Sequence, residues 1–331
     1  MADELVHAVL APPDLRRFRE LTGVGNANLD VSFAGWSKLA VLSDDRAFLF
    51  PRRGRDAALL RGARTCEILS ALGVSCVPRV LGQWPDGAVS AGPFVAFERR
   101  PGASWQRVDE RAGLDEVERM LASLGGVIAT WHRIDVALLP PELLRGAHGA
   151  TKQGWLSSFL DPDRADGAVD AVVRLLDAKP SWSAIWRATI RSLSTMTPVL
   201  VHGDVCENQL LVDAHGQVNT VLDWDTAGMG HPLHDFDFGE WGFGIFSWEP
   251  DFARLRRAMW DAYVAGRREA ELPTAGEVHL LFTLAELAYF EEQNRQGMND
   301  AWGAARLARC RAAIGPATDG VAAAGSTPGS R

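Results

Sequence analysis

The segment between Val199 and Asp225 constrains the chain most, because two apolar runs within it each lead into acidic or amide side chains. The first run leads into His202-Gly203-Asp204, and Gln209 follows five residues after Asp204. Short apolar runs bounded by polar and glycine residues are typical of strands that end in functional loops. The segment therefore predicts strands that carry polar side chains at their ends.

The second half of this segment predicts a β-hairpin. The turn Asp213–Gly216 separates two apolar runs, and Asp223 emerges directly from the second of them. A hairpin of this kind places Asp204, Gln209 and Asp223 together at one end.

These three side chains are the set that phosphoryl transfer requires. One carboxylate has to orient the attacking hydroxyl and accept its proton, and Asp204 suits that role. Magnesium, which neutralises the phosphate charge, prefers oxygen ligands. Asp223 and Gln209 supply such ligands. Asp225 is open to two interpretations, as a second metal ligand or as a surface-facing strand residue.

The rest of the chain shows a strand-rich part followed by a mainly helical part. Strands are predicted at 28–33, 36–42, 47–50, 77–81 and 94–97, and helices at 55–73, 116–134, 250–270, 275–295 and 300–313. A Pro-Gly break near residue 101 separates an N-terminal nucleotide-binding lobe (1–100) from a catalytic and substrate lobe (101–314). Residues 315–331 are rich in Gly, Ala, Ser, Thr and Pro, which predicts a disordered tail.

Charge and cysteine usage bear on partners and compartment. The formal net charge of -8 argues against nucleic acid or an anionic membrane as the main partner, because both attract basic proteins. The four scattered cysteines suggest neither a disulfide framework nor a zinc site. No apolar run approaches the roughly 20 residues that span a bilayer. We expect a cytoplasmic protein that binds neither nucleic acid nor membrane, and the sequence leaves its oligomeric state open.

The motif His202-Gly203-Asp204, with its amide at 209 and the later Leu222-Asp223, resembles the aminoglycoside phosphotransferase / choline kinase superfamily. The resemblance implies an α+β, protein-kinase-like two-lobe fold, with a small antiparallel-sheet N-lobe and a larger, mainly helical C-lobe. It also implies Mg2+ and ATP or GTP as cofactors. In that family the segment corresponds to the catalytic loop and the metal-binding motif.

Two further stretches resemble family elements. Gly230–Phe236 is similar to the family's Gly-x-Pro-x-x-Asp-Leu element, which implies that Asp235 braces the catalytic loop. We expect His202 to be structural in the same loop. Residues 96–102 resemble the linker between lobes, which implies that backbone groups near Phe97, Glu98 and Arg99 bind the nucleotide base.

The N-terminal lobe departs from the family pattern. The family usually carries a Lys or Arg on the third strand that contacts the nucleotide phosphates, and Leu49 occupies that position here. Lys38 follows Gly35 and Ser37 in the expected phosphate loop. Lys38 is open to two interpretations, as the replacement for the missing cation, with Gly35 and Ser37 also at the phosphates, or as a solvated strand lysine.

Substrate-binding residues are expected in two places. Glu240 and Trp241 belong to an acidic and aromatic stretch that suits a cationic, ring-containing substrate, although such a stretch is also typical of core with surface acids. Glu286 lies on a C-terminal helix where relatives carry substrate-binding acids. Its alternative interpretation is a solvated helix face.

The function expected from these residues and from the resemblance is transfer of a γ-phosphoryl group to a hydroxyl of a small polar molecule. The expected substrate is an antibiotic, which would make the chain an antibiotic-resistance kinase. A metabolic alcohol of the sugar, choline or homoserine type is the alternative. The absence of a cation at Leu49 favours a third hypothesis, a catalytically silent kinase-like binding module.

Overall fold

The computed structural model describes residues 12–25, 28–32, 38–52, 54–85, 89, 92–109, 112–145, 154–237, 253–267, 272–298 and 300–325. The chain divides into two compact units, residues 1–108 with 209–227 and residues 109–208 with 228–331. This division differs from the predicted boundary at residue 100, because the segment 209–227 belongs to the first unit.

The strands among the described residues are β1 (Asp30–Ser32), β2 (Lys38–Leu42), β3 (Arg46–Pro51), β4 (Val80–Trp84), β5 (Phe94–Glu98), β6 (Ala103–Ser104), β7 (Val199–Val201), β8 (Leu210–Val212), β9 (Val218–Val221) and β10 (Gly228–Gly230). The helices are α1 (Pro12–Thr22), α2 (Asp56–Ala71), α3 (Trp105–Asp109), α4 (Leu114–His132), α5 (Pro141–Leu144), α6 (Gly154–Leu160), α7 (Ala165–Leu176), α8 (Pro180–Ser194), α9 (Ala253–Arg267), α10 (Ala275–Arg295) and α11 (Ala301–Gly325). None of these helices combines the length and the apolar character that a membrane span requires.

The first unit is built on a five-stranded antiparallel sheet in the order β1-β2-β3-β5-β4. Alternate residues of its strands point to one face, where Phe48, Phe50 and Phe94 are buried with Phe18 of α1. The Phe18 and Phe48 ring centroids are 4.8 Å apart, and Phe50 stacks on Phe94 at 5.1 Å. This aromatic cluster holds α1 against the sheet.

Helix α2 packs on β3, β4 and β5 through a buried face that includes Leu59, Ala63 and Leu69. The helix ends where Gly73 adopts a left-handed conformation (φ 82°), which brings Val74 N to 2.9 Å from Leu69 O. Glycine is favoured there because it has no Cβ to clash. The predicted helix at 55–73 is confirmed.

A second, three-stranded antiparallel sheet in the order β6-β8-β9 contains the predicted hairpin. Val221 N donates to Cys76 O at 2.7 Å, and Arg100 Nε donates to Thr220 Oγ1 at 3.2 Å. These bonds tie the hairpin to the N-terminal strand region, which is why the segment 209–227 groups with the first unit.

The second unit is mainly helical, as predicted. Helices α4 and α9 lie in close contact, since a Cβ added at Gly125 would lie 2.0 Å from the backbone oxygen of Met259. Strands β7 and β10 form a short antiparallel pair in the same unit. Helices α10 and α11 also pack together.

The predicted disorder from residue 315 onward is wrong for residues 315–325, which continue α11 through Pro316. Ile314, Ala317 and Thr318 are buried, and Trp186 Nε1 donates to Thr318 Oγ1 at 2.8 Å. Burial of these side chains outweighs the poor helix propensity of the Gly-Pro pair. Residues 326–331 lie outside the described residues.

Candidate active site

An ammonium group lies between two carboxylates in the first unit. Lys38, the first residue of β2, donates from Nζ to Oδ1 of Asp225 at 2.6 Å and also to Oδ1 of Asp223. Only 11% of the Lys38 side chain and 12% of the Asp225 side chain are exposed. Asp225 is therefore not the surface-facing strand residue that the sequence left as one interpretation.

Burial and mutual charge shape the electrostatics of this cluster. Burial, followed by repulsion from Asp223, raises the pKa of Asp225 to about 7, although Lys38 opposes the rise. Burial alone would lower the pKa of Lys38, but attraction to the two carboxylates outweighs it and raises that pKa. Lys38 is therefore charged at neutral pH.

Asp223 sits in a strained backbone conformation. Its φ of 66° and ψ of 56° lie in the left-handed region, which a residue with a Cβ rarely adopts. The next residue, Trp224, is buried and donates from its indole nitrogen to Val221 O at 2.9 Å. This anchor fixes the turn that aims Asp223 away from the strand, and such strain is common at functional sites.

Helix α2 approaches the same turn closely at Arg61 and Gly62. Arg61 Nε donates to the backbone oxygen of Asp225 at 2.6 Å. A Cβ added at Gly62 would lie 2.4 Å from Asp225 Oδ1. Only glycine at position 62 therefore leaves room for the Asp225 carboxylate where it is.

Replacing Gly62 with Ala should destabilise the protein, although Ala is the better helix former by about 1 kcal/mol. The new methyl group overlaps the Asp225 carboxylate, and overpacking of this kind costs about 1–3 kcal/mol. The matched control is Gly167→Ala in α7, where a Cβ meets nothing within 4 Å and stability should not fall. Urea unfolding of both variants measures the difference, and equal midpoints would contradict the close approach.

Gln209 lies at the same end of the hairpin as Asp223. The backbone oxygen of Gln209 accepts a hydrogen bond from Leu222 N at 2.8 Å, and the Gln209 side chain is buried. Within the part of the chain that the structure describes, no three His, Cys, Asp or Glu side chains form a metal cluster. Asp223 and Asp225 nevertheless bring two carboxylates to one cationic group, and the Gln209 amide at the same end of the hairpin is another oxygen donor. That set fits magnesium.

The His202-Gly203-Asp204 loop belongs to the second unit, where Asp235 holds its backbone. Asp235 Oδ2 accepts from His202 N at 2.9 Å, and Oδ1 accepts from Gly203 N at 2.8 Å. Gly203 has a φ of 79°, which favours glycine at this turn. Asp204 is half-buried, and its N–H donates to His202 Nδ1 at 3.2 Å. The loop conformation is thus fixed on both sides of Gly203.

Two side chains of α4 also donate to Asp235. Trp131 Nε1 is 2.9 Å and His132 Nε2 3.0 Å from Oδ2, and Tyr263 Oη is 3.0 Å from His132 Nδ1. Asp235 is fully buried, and burial would raise its pKa, but the bond from His132 and the surrounding donors hold that pKa below its usual value. Asp235 is therefore an ionised carboxylate that connects α4 to the loop.

The predicted site residues thus fall into both units. Asp204, His202 and Asp235 lie in the second unit, whereas Gln209 and Asp223 lie in the first. The structure brings Lys38 together with Asp223, a contact that the sequence did not predict.

The predicted base-binding stretch uses its backbone donors internally. Glu98 N donates to Arg79 O at 2.8 Å, and Arg99 N donates to Asp45 O at 2.9 Å. Phe97 is buried at the end of β5. The N–H groups of Glu98 and Arg99 are therefore already used within the first unit, and a base at this stretch has to contact other groups.

The predicted substrate residues lie elsewhere or outside the described residues. Glu286 is fully buried between α10 and α11, where it accepts from Arg306 Nη2 at 3.1 Å and from the Cys310 thiol at 3.4 Å. Its side chain has no exposed face for a substrate, and it is not the solvated residue of the alternative interpretation. Gly35, Ser37, Glu240 and Trp241 all lie outside the described residues.

Arg61 and Gly62 were missed by sequence reasoning. A glycine inside an otherwise regular helical pattern was the one signal at this position, because such a residue often marks a close packing contact. Nothing in the local pattern distinguishes Arg61 from Arg64, the other arginine of α2.

The comparisons with known proteins identify the family of the chain. The family model described as "Phosphotransferase enzyme family" matches residues 34–273, more than half of the chain. A comparison with curated protein sequences finds no match.

Similar solved structures have the same fold. The GDP complex of aminoglycoside 2'-phosphotransferase-IIIa is 17% identical with a TM-score of 0.54, covering 92% of this chain and 97% of that one. A choline/ethanolamine kinase family protein from Mesorhizobium loti is 19% identical with a TM-score of 0.53, covering 97% and 99%. A macrolide 2'-phosphotransferase from Brachybacterium faecium is 19% identical with a TM-score of 0.51, covering 95% and 99%.

The resemblance inferred from the His202–Asp204 motif is confirmed by these comparisons, as are the predicted fold class and the predicted enzyme class. The chain has a protein-kinase-like fold and belongs to the phosphotransferase enzyme family.

Proposed function

We propose that this phosphotransferase moves the γ-phosphoryl group of ATP or GTP to a hydroxyl of a small polar molecule. The observation that carries the proposal is the loop at Asp204, whose backbone is held by the buried carboxylate of Asp235. A half-buried carboxylate on a fixed loop is suited to orient an acceptor hydroxyl and take its proton. Asp204 has that role, and His202 and Asp235 position it.

Asp223 and Gln209 are the proposed magnesium ligands, and Asp225 shares the Lys38 ammonium with Asp223. When bound there, magnesium neutralises charge on the nucleotide phosphates. The Lys38 contact and the buried Trp224 hold the two carboxylates in place before any metal arrives. Gly35 and Ser37 remain proposed phosphate contacts, and the region around Phe97 remains the proposed base site.

A hydroxyl-bearing antibiotic is the proposed substrate, which makes the chain an antibiotic-resistance enzyme. Support comes from similar solved structures, which include an aminoglycoside 2'-phosphotransferase and a macrolide 2'-phosphotransferase. The acidic and aromatic pair Glu240 and Trp241 suits a cationic drug. The net charge of -8 favours a small-molecule partner over nucleic acid, and the scattered cysteines favour a cytoplasmic enzyme.

A metabolic alcohol kinase is the second candidate. Its specific support is the similarity to the choline/ethanolamine kinase family protein, at a TM-score close to that of the antibiotic enzymes. Choline is cationic and carries one hydroxyl, so the same acidic and aromatic stretch suits it.

A transfer assay separates these candidates. The purified chain is incubated with magnesium and γ-labelled ATP or GTP, together with aminoglycosides, macrolides, choline, ethanolamine, homoserine or sugars. We expect label to appear on one acceptor class and to require magnesium. GTP is tested beside ATP because a similar structure is a GDP complex. Nucleotide binding without transfer to any acceptor would instead indicate a silent binding module.

A further inference from the structure

We propose that Lys38 of β2 is the cation that binds the nucleotide phosphates and also positions Asp223 and Asp225, in place of a cation on β3. This inference rests on the proposed nucleotide-dependent phosphoryl transfer. It adds a second role for Lys38, the alignment of the two carboxylates, and a structural reason why β2 can supply the cation.

The strand register explains how β2 can replace β3. Ala40 pairs with Leu49, and Lys38 pairs with Pro51 in the β2–β3 ladder. Paired residues in an antiparallel ladder point to the same face, and residues two apart on one strand also share a face. Lys38 and Leu49 therefore point to the same side of the sheet. Val41 and Phe48 point to the opposite side, into the aromatic core.

Lys38 pairs with the carboxylates of Asp223 and Asp225 and not with an acid of α2. Glu67, the only acid within residues 57–73, instead contacts Arg64 Nη1 at 3.3 Å and Gln83 Nε2 at 2.8 Å. The Lys38 ammonium joins β2 directly to Asp223 and Asp225 within the first unit. Its position thus fixes the spacing of the two carboxylate groups.

The number of N–H donors on Lys38 and the net charge of its cluster with Asp223 and Asp225 both allow phosphate binding once a metal is present. An ammonium has three N–H donors, and the two carboxylates use two of them, which leaves the third for a phosphate oxygen. When both carboxylates are ionised, they and the one ammonium carry a net single negative charge, so the cluster alone repels phosphate. A divalent cation reverses the sign of that charge, and the cluster then attracts phosphate. Nucleotide binding should accordingly need both the metal and Lys38.

The test is magnesium-dependent GTP and ATP binding by calorimetry, with no acceptor present. Replacing Lys38 with Met should weaken nucleotide binding about tenfold to a hundredfold, since a hydrogen bond to a charged group is lost. Lys179→Met, which removes an exposed lysine before α8, should leave binding unchanged. Adding Leu49→Lys to the Lys38→Met variant should recover most of the lost affinity, because the new ammonium leaves the same sheet face.

A second variant guards against misfolding. Lys38→Met leaves two neighbouring carboxylates without their ammonium, so the double variant Lys38→Met/Asp225→Asn removes one of those charges. Circular dichroism checks the fold of the double variant. Its nucleotide affinity is compared with that of Asp225→Asn alone, and it should be as low as that of Lys38→Met. Wild-type affinity in a folded Lys38 variant overturns the phosphate role. No recovery with Leu49→Lys overturns the shared-face argument.

This binding assay also separates the inference from the proposed function. A wild-type chain that binds nucleotide but phosphorylates no acceptor contradicts the proposed transferase, whereas the effect of Lys38 on binding is still measured. Transfer by the wild type together with unchanged binding in Lys38→Met contradicts only the inference about Lys38.

Discussion

Replacing Asp204 with Asn should lower kcat about a hundred- to ten-thousandfold, which is the usual contribution of a positioned general base. The amide keeps the size of the side chain but cannot accept the proton of the acceptor hydroxyl. Nucleotide affinity should remain nearly unchanged, because the proposed phosphate and metal contacts lie at Asp223, Gln209 and Lys38. Steady-state kinetics and calorimetry on the same preparation measure the two effects separately.

Asp163→Asn is the matched control for this experiment. Asp163 is an exposed aspartate of the same unit, and its replacement should change neither kcat nor stability. A kcat for Asp204→Asn equal to that of Asp163→Asn would contradict the role assigned to Asp204.

Replacing Asp235 with Asn should destabilise the protein by about 1–3 kcal/mol, the usual cost of leaving a buried hydrogen-bond donor without its acceptor. Asp235 accepts from His202 N, Trp131 Nε1 and His132 Nε2 on one oxygen and from Gly203 N on the other. An amide offers only one acceptor oxygen and turns an N–H group toward donors on the other side. Urea unfolding measures the loss, and kcat should fall as well because the loop backbone is released.

Asp166→Asn provides the comparison with an exposed ion pair. Asp166 Oδ2 lies 2.6 Å from Arg191 Nη2 on the surface of the second unit. Exposed pairs are screened by solvent and contribute little to stability, so this variant should unfold close to the wild-type midpoint. If Asp235→Asn lost no more stability than Asp166→Asn, the proposed brace would be wrong.

The sequence was sufficient to predict those parts of the fold and the site that depend on residues close together in the chain. The hairpin β8–β9 was predictable because its turn at Asp213–Gly216 and its apolar runs are adjacent in sequence. Strands β2, β3 and β5 were predictable from short apolar runs bounded by turn residues. The pairing of Asp235 with the loop followed from the resemblance to a family element, and its bonds to Trp131 and His132 did not.

Long-range contacts were not readable from local patterns. Lys38 and Asp223 are 185 residues apart, and their contact depends on the registers of two separate sheets and on the approach of α2 at Gly62. The N–H groups of Glu98 and Arg99 looked available in sequence because their partners lie in other segments. The continuation of α11 past Pro316 likewise depends on burial against Trp186.

The most direct test of the account is phosphorus NMR of a reaction that contains the chain, magnesium, a nucleoside triphosphate and the acceptor found in the transfer assay. A phosphomonoester signal on the acceptor should grow in step with nucleoside diphosphate and should be absent with Asp204→Asn. Release of inorganic phosphate alone, or an equal phosphomonoester signal from Asp204→Asn, would contradict it.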